Sequence, residues 1–430
     1  MASFHDGLKN LIANLGTARD KAAGNTYAQS SLSYDEARNA YRTSWLAKKI
    51  VNIPAHDAFR EWREWNADAE TISALEAEES RLRMQASFVR AKVAARLYGG
   101  SAVYIGTADK DLSEPLDVER IGKGGVRYLT VLTPLSVSGG DTDYDPASEF
   151  YLRPRYWNMQ FGTGGALQIH PSRFVFFIGS ELPPDDPVSM MGWGDSSLMA
   201  AIEAVKMSDA TMANVASLVF EAKIDVIRVP EMMERLSDPI FARQLENRFS
   251  LAALGKGNNG TLILDKDEEY EQKNYAFAGL PPIMNQFFQA VSGAADIPMT
   301  RLLGQSPGGL NSTGDGDLRN YYDSIGSMQT LEITPAMYRL DESLIRSALG
   351  NRPPEIFMSW RPLWRKSEKE IAEIGKITAD TVVALHNTGL YLPEVLAKVG
   401  ANSLVEDGVF PGMEAAMLEA GPVIEPDGDD

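Results

Sequence analysis

Two short segments carry the residues best placed to do chemistry. They are His170-Pro171-Ser172 and His386-Asn387-Thr388, each a histidine two residues from a hydroxyl. A pair of such histidines facing one phosphate could act as general acid and general base across it. The plainer reading is two unrelated surface or core histidines, more than two hundred residues apart. The other histidines, His5 and His56, add no metal-ligand spacing.

The remaining candidates weaken on inspection. Asp141, Asp143 and Asp145 alternate like the opening ligands of a calcium loop. Such a loop needs glycine at its sixth position and glutamate at its twelfth, where Pro146 and Leu152 stand, so a solvated loop is expected. Gly162-Thr163-Gly164-Gly165 could cradle a phosphate, but no Gly-Lys-Ser/Thr follows a strand, and a hairpin turn fits better. Trp62, Trp65, Trp157, Trp193, Trp360 and Trp364 could stack on bases. Arg361 and Arg365 beside two tryptophans are the best cationic-aromatic pairing, too few for a nucleic-acid groove, so core and interface packing is expected. With no cysteine in the chain, disulfides, thiolate metal sites and thiol nucleophiles are excluded.

The 430 residues are 44% apolar, enough for a sizeable core and more than one structural unit. No apolar run is long enough to cross a bilayer or to act as a signal peptide, which predicts a soluble, non-exported protein. The net charge is −18. That argues against a protein that grips nucleic acid through its phosphates. Residues 366–430 hold four lysines or arginines against thirteen acids, a net of −9, and 421–430 reads as an acidic tail.

These groups must be held by elements that the residue pattern suggests. Tyr41, Trp45, Ile50 and Ile53 have helical spacing, with Pro54 as a stop. A long helix is expected over Ala69 to Leu97, ended by Gly99-Gly100. Ala102–Ile105, Tyr128–Leu132, Phe150–Tyr156 and Phe174–Ile178 read as strands. Leu198, Ile202, Val205, Met212, Ala216 and Val219 mark an amphipathic helix. An insert follows: a strand at Ile224–Val229, a helix over Glu231–Leu254 interrupted near Pro239, and a return strand at Thr261–Leu264. Ile283, Phe287, Val291 and Ala294 mark a second helix, stopped at Asp296-Ile297-Pro298. A glycine-rich loop then leads to a long helix from Asp317 to Leu349, with a kink expected at Pro335. Glu355–Trp360 is a strand. A last helix begins at the capping box Ser367/Glu370 and stops near Gly389.

This order of elements, and above all Ala295-Asp296-Ile297-Pro298-Met299-Thr300-Arg301-Leu302-Leu303-Gly304 leading through Gly308-Gly309-Leu310-Asn311 to Tyr321-Tyr322, resembles the portal proteins of tailed phages. The resemblance spans about Tyr34 to Val399. It implies an α+β fold with an α/β wing (1–195 and 299–365), a two-helix stem (196–222 and 277–298), a small α/β clip (223–276) and a helical crown with acidic tail (366–430).

The resemblance further implies a ring, typically a dodecamer, at a capsid vertex. DNA would be packaged and ejected through it as a structural head–tail connector without catalysis. The loop 301–316 would face the DNA through Gln305, Ser306, Gly308, Gly309, Asn311, Ser312 and Thr313. Leu198, Ile202, Val205, Met212, Val219, Ile283, Phe287 and Val291 would pack the stem, and Ile240, Phe241, Arg243 and Arg248 would dock partners on the clip. Expected partners are copies of the chain, the large terminase, a head–tail adaptor, a capsid or scaffold protein, and double-stranded DNA in transit. No membrane, metal or cofactor is implied. The expected location is the virion, after assembly in the host cytoplasm. Two alternatives stand beside this: another head–tail connector ring, and a two-histidine phosphoesterase of phage origin using His170 and His386.

Overall fold

The computed structural model describes residues 32–161, 165–220, 223–228, 238–255, 269–274, 277, 279–304, 314–364, 368–406 and 409–410. The chain divides into two compact units, Met1–Ser359 and Trp360–Asp430.

The first unit opens on helices whose starts are chemically marked. In α1 (Tyr34–Thr43) the Ser33 hydroxyl accepts from the Glu36 amide, and the Glu36 carboxylate accepts from the Ser33 amide. Ser44 caps α2 (Trp45–Arg60). After the short strand β1 (Arg63–Asn66), Asp68 caps α3 (Ala69–Arg81) by accepting from the Glu70 and Thr71 amides. Next comes α4 (Met84–Tyr98), which Gly99 ends in the left-handed region. Only glycine fits there, since an added Cβ would stand 2.1 Å from the Gly194 carbonyl oxygen.

The helix expected over Ala69–Leu97 is two helices, broken where Arg83 takes φ 50°. And α2 does not stop at Pro54. Proline lacks the N–H that would satisfy the Ile50 carbonyl. Arg96 of α4 supplies the donor instead, from Nη2 to Ile50 O at 3.0 Å and from Nε to Val51 O at 3.2 Å. Burial lowers the Arg96 pKa to about 10.

The sheets sit on this helical layer. β2 (Gly100–Gly106) is buried along its whole length between antiparallel β3 (Tyr128–Leu132) and β7 (Phe174–Ile178), with Val103 opposite both Val131 and Val175. A second sheet runs β4 (Val137–Gly139), β5 (Trp157–Phe161), β6 (Gly165–Ile169), and its Phe161↔Gly165 pairing is that of a hairpin. The two sheets share one core of Ala102, Tyr104, Val137, Trp157, Ile169, Phe174 and Trp193. On the helical side, Phe88 lies 6.0 Å from Phe59 and 5.4 Å from Phe177, ring centre to ring centre. Each such buried ring contributes roughly 1.5–3 kcal/mol.

The strand expected at Phe150–Tyr156 is a run of turns. Asp143, Asp145 and Ser148 side chains accept backbone N–H groups two residues on, and Leu152 sits at φ 59°. These local bonds outcompete a sheet ladder.

Helices α5 (Ile202–Phe220) and α7 (Leu280–Ala295) pack on each other. Between them run β8 (Lys223–Arg228), α6 (Pro239–Gly255) and β9 (Glu269–Asn274), with β8 and β9 antiparallel. The return strand is therefore Glu-Tyr-Glu-Gln-Lys-Asn, whose charged and amide residues hid it, while Thr261–Leu264 lies outside the described residues. After the one-turn helix α8 (Met299–Leu303) come α9 (Asp315–Met328) and α10 (Thr334–Leu349), joined by a π-turn over Gln329–Ile333. The π-turn is how the chain accommodates Pro335: the Thr334 amide and hydroxyl both reach back to Gln329 O, the hydroxyl at 2.8 Å. β10 (Phe357–Trp360) pairs with β1.

A buried ionic knot ties α3 to α10. Arg63 bonds Glu79 at 2.8 Å and Asp341 at 2.6 Å, and its guanidinium stacks 4.5 Å from the Trp65 ring centre.

The second unit is a helical hairpin, α11 (Glu368–Asn387) and α12 (Pro393–Glu406). An added Cβ at Gly400 would meet Val382 at 2.9 Å, so the two helices approach closely there. Among the described residues no helix is long and apolar enough to cross a membrane.

Candidate functional site

The most ordered polar constellation lies on α2, where the chain enters and leaves the glycine-rich segment. Asp57 sits on the apolar stripe of α2, with Ile50, Pro54 and Ala58, and is 1% exposed. Its carboxylate accepts from Arg301 Nε at 2.9 Å, from Arg301 Nη2 at 2.8 Å and from the Tyr321 hydroxyl at 3.0 Å. Lys49, two turns back, donates to the Leu302 carbonyl at 2.6 Å and so caps α8. Arg60 stacks 4.5 Å from the Tyr322 ring centre and donates to its hydroxyl at 3.2 Å. One helix thus holds residues 301–302 on one side of the segment and 321–322 on the other.

The electrostatics match that geometry. The Asp57 hydrogen bonds hold the Arg301 guanidinium charged, with its pKa raised. Burial, then the Asp57 charge, pushes the Tyr321 phenol up, so it stays a neutral donor. The sequence signal for Asp57 was a carboxylate on an otherwise apolar helix stripe. That signal does not identify its partners, which stand 244 and 264 residues further along the chain.

Beside this cluster lies an open cleft of about 810 Å³. Asn285 and Gln289 of α7 line one wall, and Asp317, Asn320 and Ser324 of α9 the other. Its floor is the step from Asp296 to Thr300.

His170 is placed by its own turn. It caps the turn Pro171–Arg173, and Nδ1 accepts the Ser172 amide at 3.2 Å and lies 2.8 Å from the Ser172 hydroxyl. The Ser172 hydroxyl accepts the Leu116 amide at 2.8 Å, which directs its own proton to Nδ1. That arrangement puts the ring proton on Nε2. Burial first, then the charge of Arg339, lowers the His170 pKa, so the ring is neutral near pH 7. Its other close ring is Phe150, at 5.6 Å, and not a second imidazole. His386 is exposed in the last turn of α11, in the second unit.

Gln305, Ser306, Gly308, Gly309, Asn311, Ser312 and Thr313 lie outside the described residues. Leu198, Ile202, Val205 and Val291 are buried, Met212 and Phe287 are half-buried, and Ile283 is exposed. Val219 lies in α5, and nothing further is described of its side chain. On α6, Ile240 and Arg243 are exposed, and Phe241 and Arg248 half-buried. Asp143 is buried, accepting from Asp145 N and Arg155. Among the described residues no cluster of three histidines or carboxylates could hold a metal.

A family model described as phage portal protein matches residues 35–384. The chain belongs to that family. The α+β portal fold, with its helical and β-wing elements, is therefore that of this protein. Its sequence is 41% identical to an anti-CBASS protein Acb1 of Caulobacter sp. (strain RHG1), over 97% of this chain and 69% of that protein. It is 38% identical to an anti-CBASS protein Acb1 of Sphingomonas paeninsulae, over 99% of this chain and 69% of that protein. A chain from a virion of a native gene transfer agent particle shares 14% identity, with a TM-score of 0.47, covering 90% of this chain and 96% of that one.

These relatives overturn the expected role. Near-full-length likeness to proteins named for action against CBASS replaces the head–tail connector of a capsid vertex. The expectations that went with that role fall too: a catalysis-free structural protein, genome packaging and ejection, terminase, adaptor and capsid partners, DNA in transit, and a place in the virion. Portal-family membership describes the fold and did not carry the role with it.

Proposed function

We propose that this protein acts as an anti-CBASS protein of the Acb1 kind, working free in the infected cell. The observation that carries the reading is identity of 41% and 38% to two proteins of that name, running along 97% and 99% of this chain. The chemistry proposed for it is phosphoester cleavage, the enzymatic reading that the His-x-Ser/Thr segments support. In that chemistry the Nε2–H of the neutral His170 donates a hydrogen bond to a phosphoryl oxygen of the substrate, holding it in place without giving up its proton. His386 is the second candidate, to be tested separately.

The buried residues Leu198, Ile202, Val205 and Val291 are proposed to hold α5 and α7 in place as the scaffold of the first unit.

The test is incubation of purified protein with oligonucleotide phosphodiesters, beside His170→Ala and His386→Ala. Cleavage lost in either variant, with an unchanged melting temperature, supports the chemistry. Cleavage equal in all three proteins, or absent from all, refutes the histidine assignment.

A further inference from the structure

His170 and Arg339 each present hydrogen-bond donors that the protein leaves without an acceptor. Ser172 engages Nδ1 of His170, so Nε2 carries the ring proton, and among the described residues no acceptor stands opposite it. Arg339, on α10, donates through Nη2 alone, to both Glu149 carboxylate oxygens at 2.5 and 2.6 Å. Its Nε and Nη1 groups have no acceptor among the described residues, so the guanidinium keeps donors for a second oxyanion.

The dipeptide Glu149-Phe150 joins the two groups. The Phe150 ring stands edge-on to the imidazole, 5.6 Å between centres, while the neighbouring Glu149 takes Arg339. A run of turns fixes that dipeptide: the Phe150 amide donates to Ser148 Oγ at 3.1 Å, and the Leu152 amide to the Asp143 carbonyl at 2.8 Å. The arginine of α10 and the imidazole of the turn before β7 therefore flank one point of the loop between β4 and β5.

The charges at that point favour an anion. At the imidazole, Arg339 acts more strongly than Glu149, and Arg173 more strongly than Glu114. The Arg339 and Glu149 side chains are 36% and 59% exposed, and a pair this open to water contributes little to the fold. Glu149 can therefore give up Arg339 to another anion at small cost. A phosphodiester carries two non-bridging oxygens, one for each donor group. We infer that Arg339 is the second ligand of the substrate phosphodiester at the His170 site, leaving Glu149 to take one non-bridging oxygen while His170 Nε2–H holds the other. This assignment rests on the phosphoester reading of His170.

The test is a side-chain nitrogen-15 NMR titration of the full chain with dimethyl phosphate, a phosphodiester anion without a base, beside neutral trimethyl phosphate. Dimethyl phosphate should move the His170 Nε2 resonance to saturation, and trimethyl phosphate should not. Arg339→Gln should weaken this binding about tenfold, the scale of one charge-assisted contact, and Arg339→Lys should recover part of it. Glu149→Gln, which removes the competing carboxylate, should strengthen it. Arg120→Gln, the same charge change at another exposed pair, should leave it unchanged. Melting curves confirm that each variant is folded. Binding by Arg339→Gln equal to wild type would overturn the assignment, as would equal weakening by Arg120→Gln. Should Arg339→Gln fail to fold, unaltered affinity in Glu149→Gln would overturn it instead. On an oligonucleotide that the protein cleaves, Arg339→Gln should raise KM with kcat little changed, and an unchanged KM would contradict the assignment. Dimethyl phosphate held through Arg339 by a protein that cleaves nothing would support the assignment and refute the cleavage reading, so the two fail separately.

Discussion

Arg96 donates to the Ile50 carbonyl at 3.0 Å, the acceptor that Pro54 leaves without its helical partner. A side chain from α4 thus does what the backbone of α2 cannot, and the helix continues to Arg60 with Asp57 on its buried face. Arg96→Met should cost about 2–4 kcal/mol, since a buried carbonyl loses its donor and a well-packed side chain is replaced. Pro54→Ala restores a backbone N–H opposite Ile50 and should recover about 1 kcal/mol in the Arg96→Met background but not in the wild type. Urea unfolding of the four proteins measures this coupling, and strict additivity would contradict it.

Asp57 organises both ends of the glycine-rich segment. Asp57→Ala removes the acceptor of three hydrogen bonds and leaves Arg301 and the Tyr321 hydroxyl without it. A loss of about 3–5 kcal/mol is expected, as for breaking other buried ion pairs. Asp57→Asn, which keeps an acceptor oxygen, should cost less. Chemical denaturation compares the two, and equal losses would mean that the retained acceptor oxygen contributes nothing.

Glu78 gives the acid limb of stability a definite cause. Its carboxylate accepts twice from Arg81, at 2.7 Å each, and from the Ser347 hydroxyl at 2.5 Å. The Arg81 bonds first, then Ser347, hold its pKa below the usual glutamate value of 4.5. A depressed carboxylate stabilises the fold above its unfolded pKa, and that stability is lost as pH falls through the folded value. The wild type should therefore lose melting temperature more steeply than Glu78→Gln as pH falls from about 5 to 2. Parallel curves would show that Glu78 does not contribute there.

Much of this architecture was legible because it follows local rules. Gly99 ends α4, Asp296-Ile297-Pro298 ends α7, and Gly389 follows α11, each by backbone chemistry written in a few adjacent residues. What could not be read was decided by partners distant in sequence. Pro54 signals a stop until Arg96 is seen across the helix pair. Phe150–Tyr156 has strand-forming residues, yet the Asx turns of Asp143 and Asp145 and the left-handed Leu152 take its backbone elsewhere. β9 is a strand through its register with β8, not through its composition. The Asp57–Arg301–Tyr321 cluster joins residues more than 240 positions apart. The role was less legible than the fold, because the Ala295–Gly304 signature reports an architecture that proteins of different roles share.

His170 should titrate as a low-pKa imidazole with Nε2 protonated. Ser172→Ala removes the hydroxyl that donates to Nδ1 and should raise the His170 pKa, since one stabilising contact to the neutral ring is lost. Nitrogen-15 NMR of the histidine side chains reads both tautomer and pKa. A ring protonated on Nδ1 would contradict the hydrogen-bond assignment, and with it the hydrogen-bonding role of Nε2–H.

Phage growth on bacteria carrying an active CBASS defence measures action against CBASS in the cell. Cells producing this chain should let a CBASS-sensitive phage plaque nearly as well as on cells lacking the defence, and the defence should remain intact in cells producing a stop-codon variant. Plaque numbers that stay at the defended level despite abundant, folded protein would contradict the account.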